Sequence, residues 1–117
     1  MARRTIAPTR AATDALVVLG SQLRLARHEK NWTAADLGER VGVGPRTITA
    51  MERGAPGVAI GTVFSAATVL GVSLFGADDD ELARMRRRGE ERIALIPSRE
   101  YQSRSTAVDG GDGSLDF

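Results

Sequence analysis

The 117 residues include 16 Lys and Arg, 15 Asp and Glu and a single His, with 42% hydrophobic but only 4% aromatic residues. That length supports one domain with tails, and so few aromatics mean a core of Leu, Val, Ile and Ala, which suits packed helices. The absence of cysteine excludes disulfides, thiolate zinc sites and cysteine nucleophiles, and no run approaches the roughly 20 apolar residues of a membrane span or the shape of a signal peptide, so a cytoplasmic location and no membrane partner are expected.

Residues 1–13, with Arg3, Arg4 and Arg10 among Thr and Pro, read as a flexible basic arm. From about Asp14, Leu16, Leu19, Leu23 and Ala26 recur at the spacing of one helix face, predicting a first helix to about Lys30. Asn31 and Trp32 break it. Thr33 is placed as an N-cap accepting from Asp36, opening a short helix over Ala34 to Val41. Gly42 suits the left-handed end of that helix, with Val43 packing inward, and Gly44-Pro45 starts the next, because proline at the first helical position forfeits no hydrogen bond. This third helix runs to about Arg53, with Ile48 and Met51 inward and Gly54 as its stop. After a Gly- and Pro-rich turn, Ile60, Val63, Phe64, Ala67 and Leu70 mark one face of a fourth helix ending at Gly71. Val72 to Phe75 reads as strand or loop. Asp78, Asp79, Asp80 and Glu81 then open a charged helix whose later turns carry Arg84, Arg86, Arg87, Arg88 and Arg92, a polarity that suits the helix dipole. Ile93 to Ile96 is a short apolar run before Pro97, and the Ser-, Asp- and Gly-rich remainder reads as disordered.

Two short helices joined by a glycine turn are the frame that lays the second helix in the DNA major groove while the first rests on the backbone. The residues Leu37-Gly38, Gly42-Val43-Gly44, Thr47-Ile48-Thr49 and Met51-Glu52-Arg53-Gly54 resemble the Xre/Cro-type repressor family over about residues 15–72. The resemblance implies an all-α, lambda-repressor-like bundle of about five helices containing a helix-turn-helix, with a disordered C-terminal tail. It also sets the expected organisation: the arm at 1–13, the DNA-binding domain at 14–76, a charged helix and apolar segment at 77–97 offered for dimerisation, and a tail at 98–117.

Charge is consistent with double-stranded DNA as partner of the front half: six basic residues face four acids over residues 15–77, whereas two Arg face four acids over residues 93–117. Base-reading side chains must stand early on the third helix and point away from its core face, which selects Pro45, Arg46, Thr47 and Ala50. Arg46 is the strongest candidate, because a guanidinium pairs bidentately with guanine O6 and N7. Phosphate contacts are assigned to Thr33, to the helix start at Ala34, and to Thr49 and Arg53. The family usually has Gln, a phosphate clamp, where this chain has Ala34, and Ala where it has Gly38. Arg27 and Glu52 match the family's inward-facing ion pair. The Arg84 to Arg92 group is balanced by nearby acids and reads as a solvated face.

Nothing points to an enzyme. His28 lacks a second ligand at metal spacing, the Ser and Thr residues lack a base, and Gly42-Val43-Gly44 follows a helix rather than a strand, so no metal or cofactor is expected. One such domain covers little DNA, which implies a homodimer on two half-sites. The stretch Gly54 to Thr62 resembles the same region of HipB-like antitoxins, which repress their own operon and bind a HipA-like Ser/Thr kinase toxin. The C-terminal Ser114-Leu115-Asp116-Phe117 is similar in kind to the aromatic-ended tails with which such proteins dock, making Leu115 and Phe117 candidates for partner docking. A stand-alone Xre-family regulator and a protein adaptor on the same fold are the alternatives, the adaptor being favoured by Ala34 in place of Gln.

Overall fold

The computed structural model describes residues 7–98, in which five helices follow one another: α1 (Arg10–Glu29), α2 (Ala34–Val41), α3 (Pro45–Glu52), α4 (Ile60–Leu70) and α5 (Asp79–Ala94). The chain divides into two compact units between Asp78 and Asp79. No helix among the described residues is long and apolar enough to cross a membrane.

α1 begins at Arg10, four residues before its apolar repeat. Thr9 is extended and its hydroxyl accepts from the Ala12 amide at 3.1 Å, so a cap and helix-favouring alanines start the helix without any buried face. Arg10 is therefore the first helical residue rather than part of an arm. α1 then turns Gly20, Leu23 and Arg27 inward. It closes through Asn31, whose left-handed φ of 59° is a conformation asparagine tolerates.

The middle of the first unit is built by local turn chemistry. Thr33 Oγ1 accepts from the Asp36 amide at 3.0 Å while Asp36 Oδ2 accepts from the Thr33 amide at 2.8 Å, a reciprocal cap that fixes where α2 starts. Gly42, at φ 93°, lets the amides of Gly42 and Val43 both donate to the Gly38 carbonyl, at 2.7 and 2.9 Å. Pro45 opens α3 and Gly54 closes it. α3 packs on both α1 and α2, and α4 also packs on α1 and α2.

Leu23, Leu37 and Ile48, one from each of α1, α2 and α3, are the largest fully buried side chains, and Met51, Ala66, Ala67, Leu70 and Leu74 complete the core with Ala77. α4 departs from its expected face. Ile60, in the first turn, is 68% exposed, Val63 and Phe64 are half-buried, and Ala66 is fully buried beside Ala67 and Leu70. The Val72 to Phe75 run is a tight turn rather than a strand: Leu74 and Ala77 form an isolated antiparallel bridge around Phe75 and Gly76, both at positive φ. Phe75 sets its ring edge-on to Phe64, 6.0 Å between centroids.

In the second unit, α5 places Asp79, Asp80 and Glu81 in its first turn and Arg92 in its last. Three of its five arginines are held along their own helix, Arg84 and Arg88 by Glu81 at 2.7 and 3.2 Å and Arg86 by Glu90 at 3.0 Å. Such exposed pairs contribute little stability each.

Candidate nucleic-acid interface

α3 is fixed by what it buries and offers what it does not. Ile48, Met51 and Glu52 face inward, while Pro45, Arg46, Thr49 and Arg53 are exposed and Thr47 and Ala50 are half-buried at the edge of that outer face. The proposed base-reading set Pro45, Arg46, Thr47 and Ala50 thus lies on the first two turns of one short helix. Arg46 makes no side-chain hydrogen bond or ion pair among the described residues, so its guanidinium is available to a partner.

Two close backbone approaches set the pose of this helix. A Cβ added to Gly20 of α1 would lie 2.6 Å from the Glu52 carbonyl oxygen and 2.7 Å from that of Met51, so only glycine lets α1 reach the end of α3. At Gly38 an added Cβ would run into the Val43 carbonyl oxygen, so a glycine in α2 makes room for the turn itself. The helix-propensity cost of Gly38, roughly 1 kcal/mol, is accepted for that turn.

The inner anchor is ionic. Arg27 Nε and Nη2 donate to Glu52 Oε2 and Oε1 at 2.7 and 2.9 Å, and Nη1 donates to the Trp32 carbonyl at 2.8 Å. The guanidinium is raised further above its ordinary pKa, chiefly by the hydrogen bonds to Glu52 and against the effect of burial. One side chain of α1 thereby holds the last residue of α3 and the break before α2. Trp32 carries a second, outer link: Arg40 of α2 lies 4.0 Å from its ring centroid and Lys30 5.3 Å.

Residues proposed for phosphate are arranged unequally. Thr33 is exposed at the start of α2, where its oxygen already accepts from Asp36, and its hydroxyl hydrogen is free to turn outward. Asp36, held below the usual carboxylate range by the hydrogen bond from the Thr33 amide and then by the Thr33 side chain, brings negative charge to that helix start. Ala34 adds only its backbone amide. Thr49 Oγ1 donates to the Pro45 carbonyl at 2.8 Å, with the Arg46 carbonyl at 3.2 Å, so its proton is used within α3. Arg53, the exposed C-cap residue of α3, is the one cation among these four.

Sequence reasoning missed Gly20, Trp32 and Arg40. Gly20 had a signal, a glycine inside the apolar face defined by Leu16, Leu19 and Leu23, where a helix tolerates glycine only for a reason. The tail residues Leu115 and Phe117 lie outside the described residues, as do Arg3 and Arg4. His28 is exposed on α1, and among the described residues no group of His, Asp and Glu is disposed to hold a metal ion.

No curated protein and no solved structure matches the chain. A family model described as a helix-turn-helix domain matches residues 18–85, from within α1 through α2, α3 and α4 to the first turns of α5. With the α2-turn-α3 frame in place and more than half of its length matched, the chain belongs to the helix-turn-helix domain family of DNA-binding domains.

Proposed function

We propose that this protein is a sequence-specific transcriptional repressor that inserts α3 into the major groove of double-stranded DNA and acts as a homodimer on two half-sites. The observation that carries it is the division of α3 into a buried face locked to α1 through Arg27 and Glu52 and an open face headed by Arg46. Arg46 reads a guanine, Pro45, Thr47 and Ala50 shape the apolar contact beside it, and Thr33, the Ala34 amide and Arg53 hold phosphates, which Thr49 joins only by giving up its bond to the Pro45 carbonyl. Selection of duplexes from a random library tests this. A recovered motif with two half-sites about one helical turn apart supports it, and recovery of no motif contradicts it.

The resemblance of Gly54 to Thr62 to HipB-like antitoxins extends the reading to an antitoxin that represses its own operon, with a HipA-like Ser/Thr kinase toxin as partner docked by Leu115 and Phe117. Co-purification of the kinase by the full chain, lost on deletion of residues 102–117, supports this extension. Undiminished kinase binding refutes the docking role, and full operator affinity with no kinase in the cell's complexes favours the stand-alone regulator.

A further inference from the structure

α5 buries no residue and presents an apolar stripe. Leu82, Met85, Gly89, Ile93 and Ile96 follow at intervals of three, four, four and three residues, so they share one helix face and the stripe reads alike from either end, with Gly89 at its centre. The amides of Leu95 and Ile96 donate to the carbonyls of Arg92 and Ile93 at 3.1 and 3.0 Å, a tightened last turn that carries the stripe to Ile96. Ile93 is 54% and Ile96 49% exposed. Met85, Gly89 and Ile93 line an open groove edged by Arg86, Glu90 and Arg92.

Gly89 is the small residue at the centre of the stripe. Glycine inside a helix weakens it, and here a Cβ would meet nothing within 4 Å, so the protein's own packing does not require it. A stripe symmetric about a small central residue suits an antiparallel two-fold contact between identical helices, because residue i meets j while j meets i, so large residues meet large ones and the small centre lets the helices approach. We propose that α5 is the dimer interface, pairing antiparallel with α5 of a second copy about an axis through Gly89, so that Met85 packs on Ile93 and Leu82 on Ile96 of the other helix. The two flanks of such a pair differ in charge. On one flank Arg86 lies within about two residues' rise, roughly 3 Å, of Glu90 of the second copy. On the other flank Arg88, held by Glu81 of its own helix at 3.2 Å, and Arg92 come within the same rise of Arg88 of the second copy, so like charges meet there. A parallel pair would instead set the two acidic first turns and the two helix dipoles side by side. The 16 residues of α5 extend about 24 Å, a single short helix pair, so the dimer forms at micromolar chain concentration without DNA and is strengthened further when both copies sit on one site.

This deepens the proposed homodimer, and its test omits DNA so that failure of the interface and failure of operator binding read out separately. The chain has no native cysteine, so single cysteines report pairing cleanly in the full chain. Gly89→Cys alone is expected to form a disulfide-linked dimer on mild oxidation, and so is a mixture of Met85→Cys with Ile93→Cys. Met85→Cys alone and Ile93→Cys alone are expected to stay uncrosslinked, because each lies about 12 Å along the axis from its own copy, beyond disulfide reach. Ile93→Glu, checked for helix content, is expected to shift sedimentation of the wild-type cysteine-free chain from dimer to monomer. Self-linkage of Met85→Cys and Ile93→Cys as readily as Gly89→Cys overturns the antiparallel pairing. A wild-type chain that stays monomeric at high micromolar concentration overturns the proposal and gives the face to another segment of the chain or to a foreign protein. A dimer that Ile93→Glu leaves intact places the interface elsewhere and also overturns it.

Discussion

Arg27 reaches across from α1 and grips Glu52 at the end of α3 with two parallel hydrogen bonds of 2.7 and 2.9 Å, both side chains being almost entirely buried. The pair fixes the angle at which α3 presents Arg46. Removing one partner leaves the other charge buried without compensation, so Arg27→Met is expected to destabilise the domain by about 3–5 kcal/mol. Urea unfolding measures this, and the double variant Arg27→Met with Glu52→Leu is expected to recover part of the loss. An unchanged midpoint for Arg27→Met would show that the contact contributes nothing.

Close packing makes two glycines respond in opposite directions. Gly20→Ala forces a methyl group against the Met51 and Glu52 carbonyls and is expected to cost about 1–3 kcal/mol as α1 and α3 separate. Gly61→Ala, in the first turn of α4 with open space around it, is expected to stabilise by about 0.4–1 kcal/mol through the unfolded chain. Thermal unfolding of both variants side by side checks the pair.

The α2 cap makes one contribution to stability that depends on acid. Asp36 is lowered from its ordinary value of 3.8, first by the Thr33 amide and then by the Thr33 side chain. A depressed carboxylate stabilises the folded state fully above its unfolded pKa and loses that contribution as pH falls through its folded one. The stability gap between wild type and Asp36→Ala is therefore expected to be constant near neutrality and to shrink only below about pH 3.8. A gap independent of pH down to strong acid would remove the carboxylate from the cap.

How much of this could be read from the chain follows from the range of each interaction. The boundaries from Thr33 to Gly54 are set by residues acting on their immediate neighbours, namely a threonine cap, a left-handed Gly42 and a proline at the first position of α3, and these are visible in a string of letters. The start of α1 was displaced because Thr9 caps a turn of alanines that buries nothing and so has no apolar period. Ile60 stands exposed at the start of α4 while Ala66 is fully buried, because an apolar period marks hydrophobic residues on a face and does not say which of them meets a neighbouring helix. The roles of Gly20 and of the Trp32 carbonyl exist only once α1 has met α3, and no local pattern encodes that meeting.

Among the proposed phosphate contacts, Arg53 is expected to matter most, since the Thr49 proton is used inside α3. Arg53→Ala is expected to weaken all duplexes alike and to reduce the slope of log affinity against log salt by about 1. An unaltered slope would take Arg53 off the phosphate backbone.

Sequence readout by α3 is assigned to Arg46, and fluorescence anisotropy of wild type and Arg46→Ala on a selected duplex, its single-base variants and random DNA measures it. Wild type is expected to prefer the selected duplex by at least about a thousandfold. Arg46→Ala is expected to lose about 1–3 kcal/mol on that duplex, to become indifferent to one base pair, and to bind random DNA almost as before. Equal losses on selected and random DNA, with discrimination at every base pair retained, would contradict that assignment.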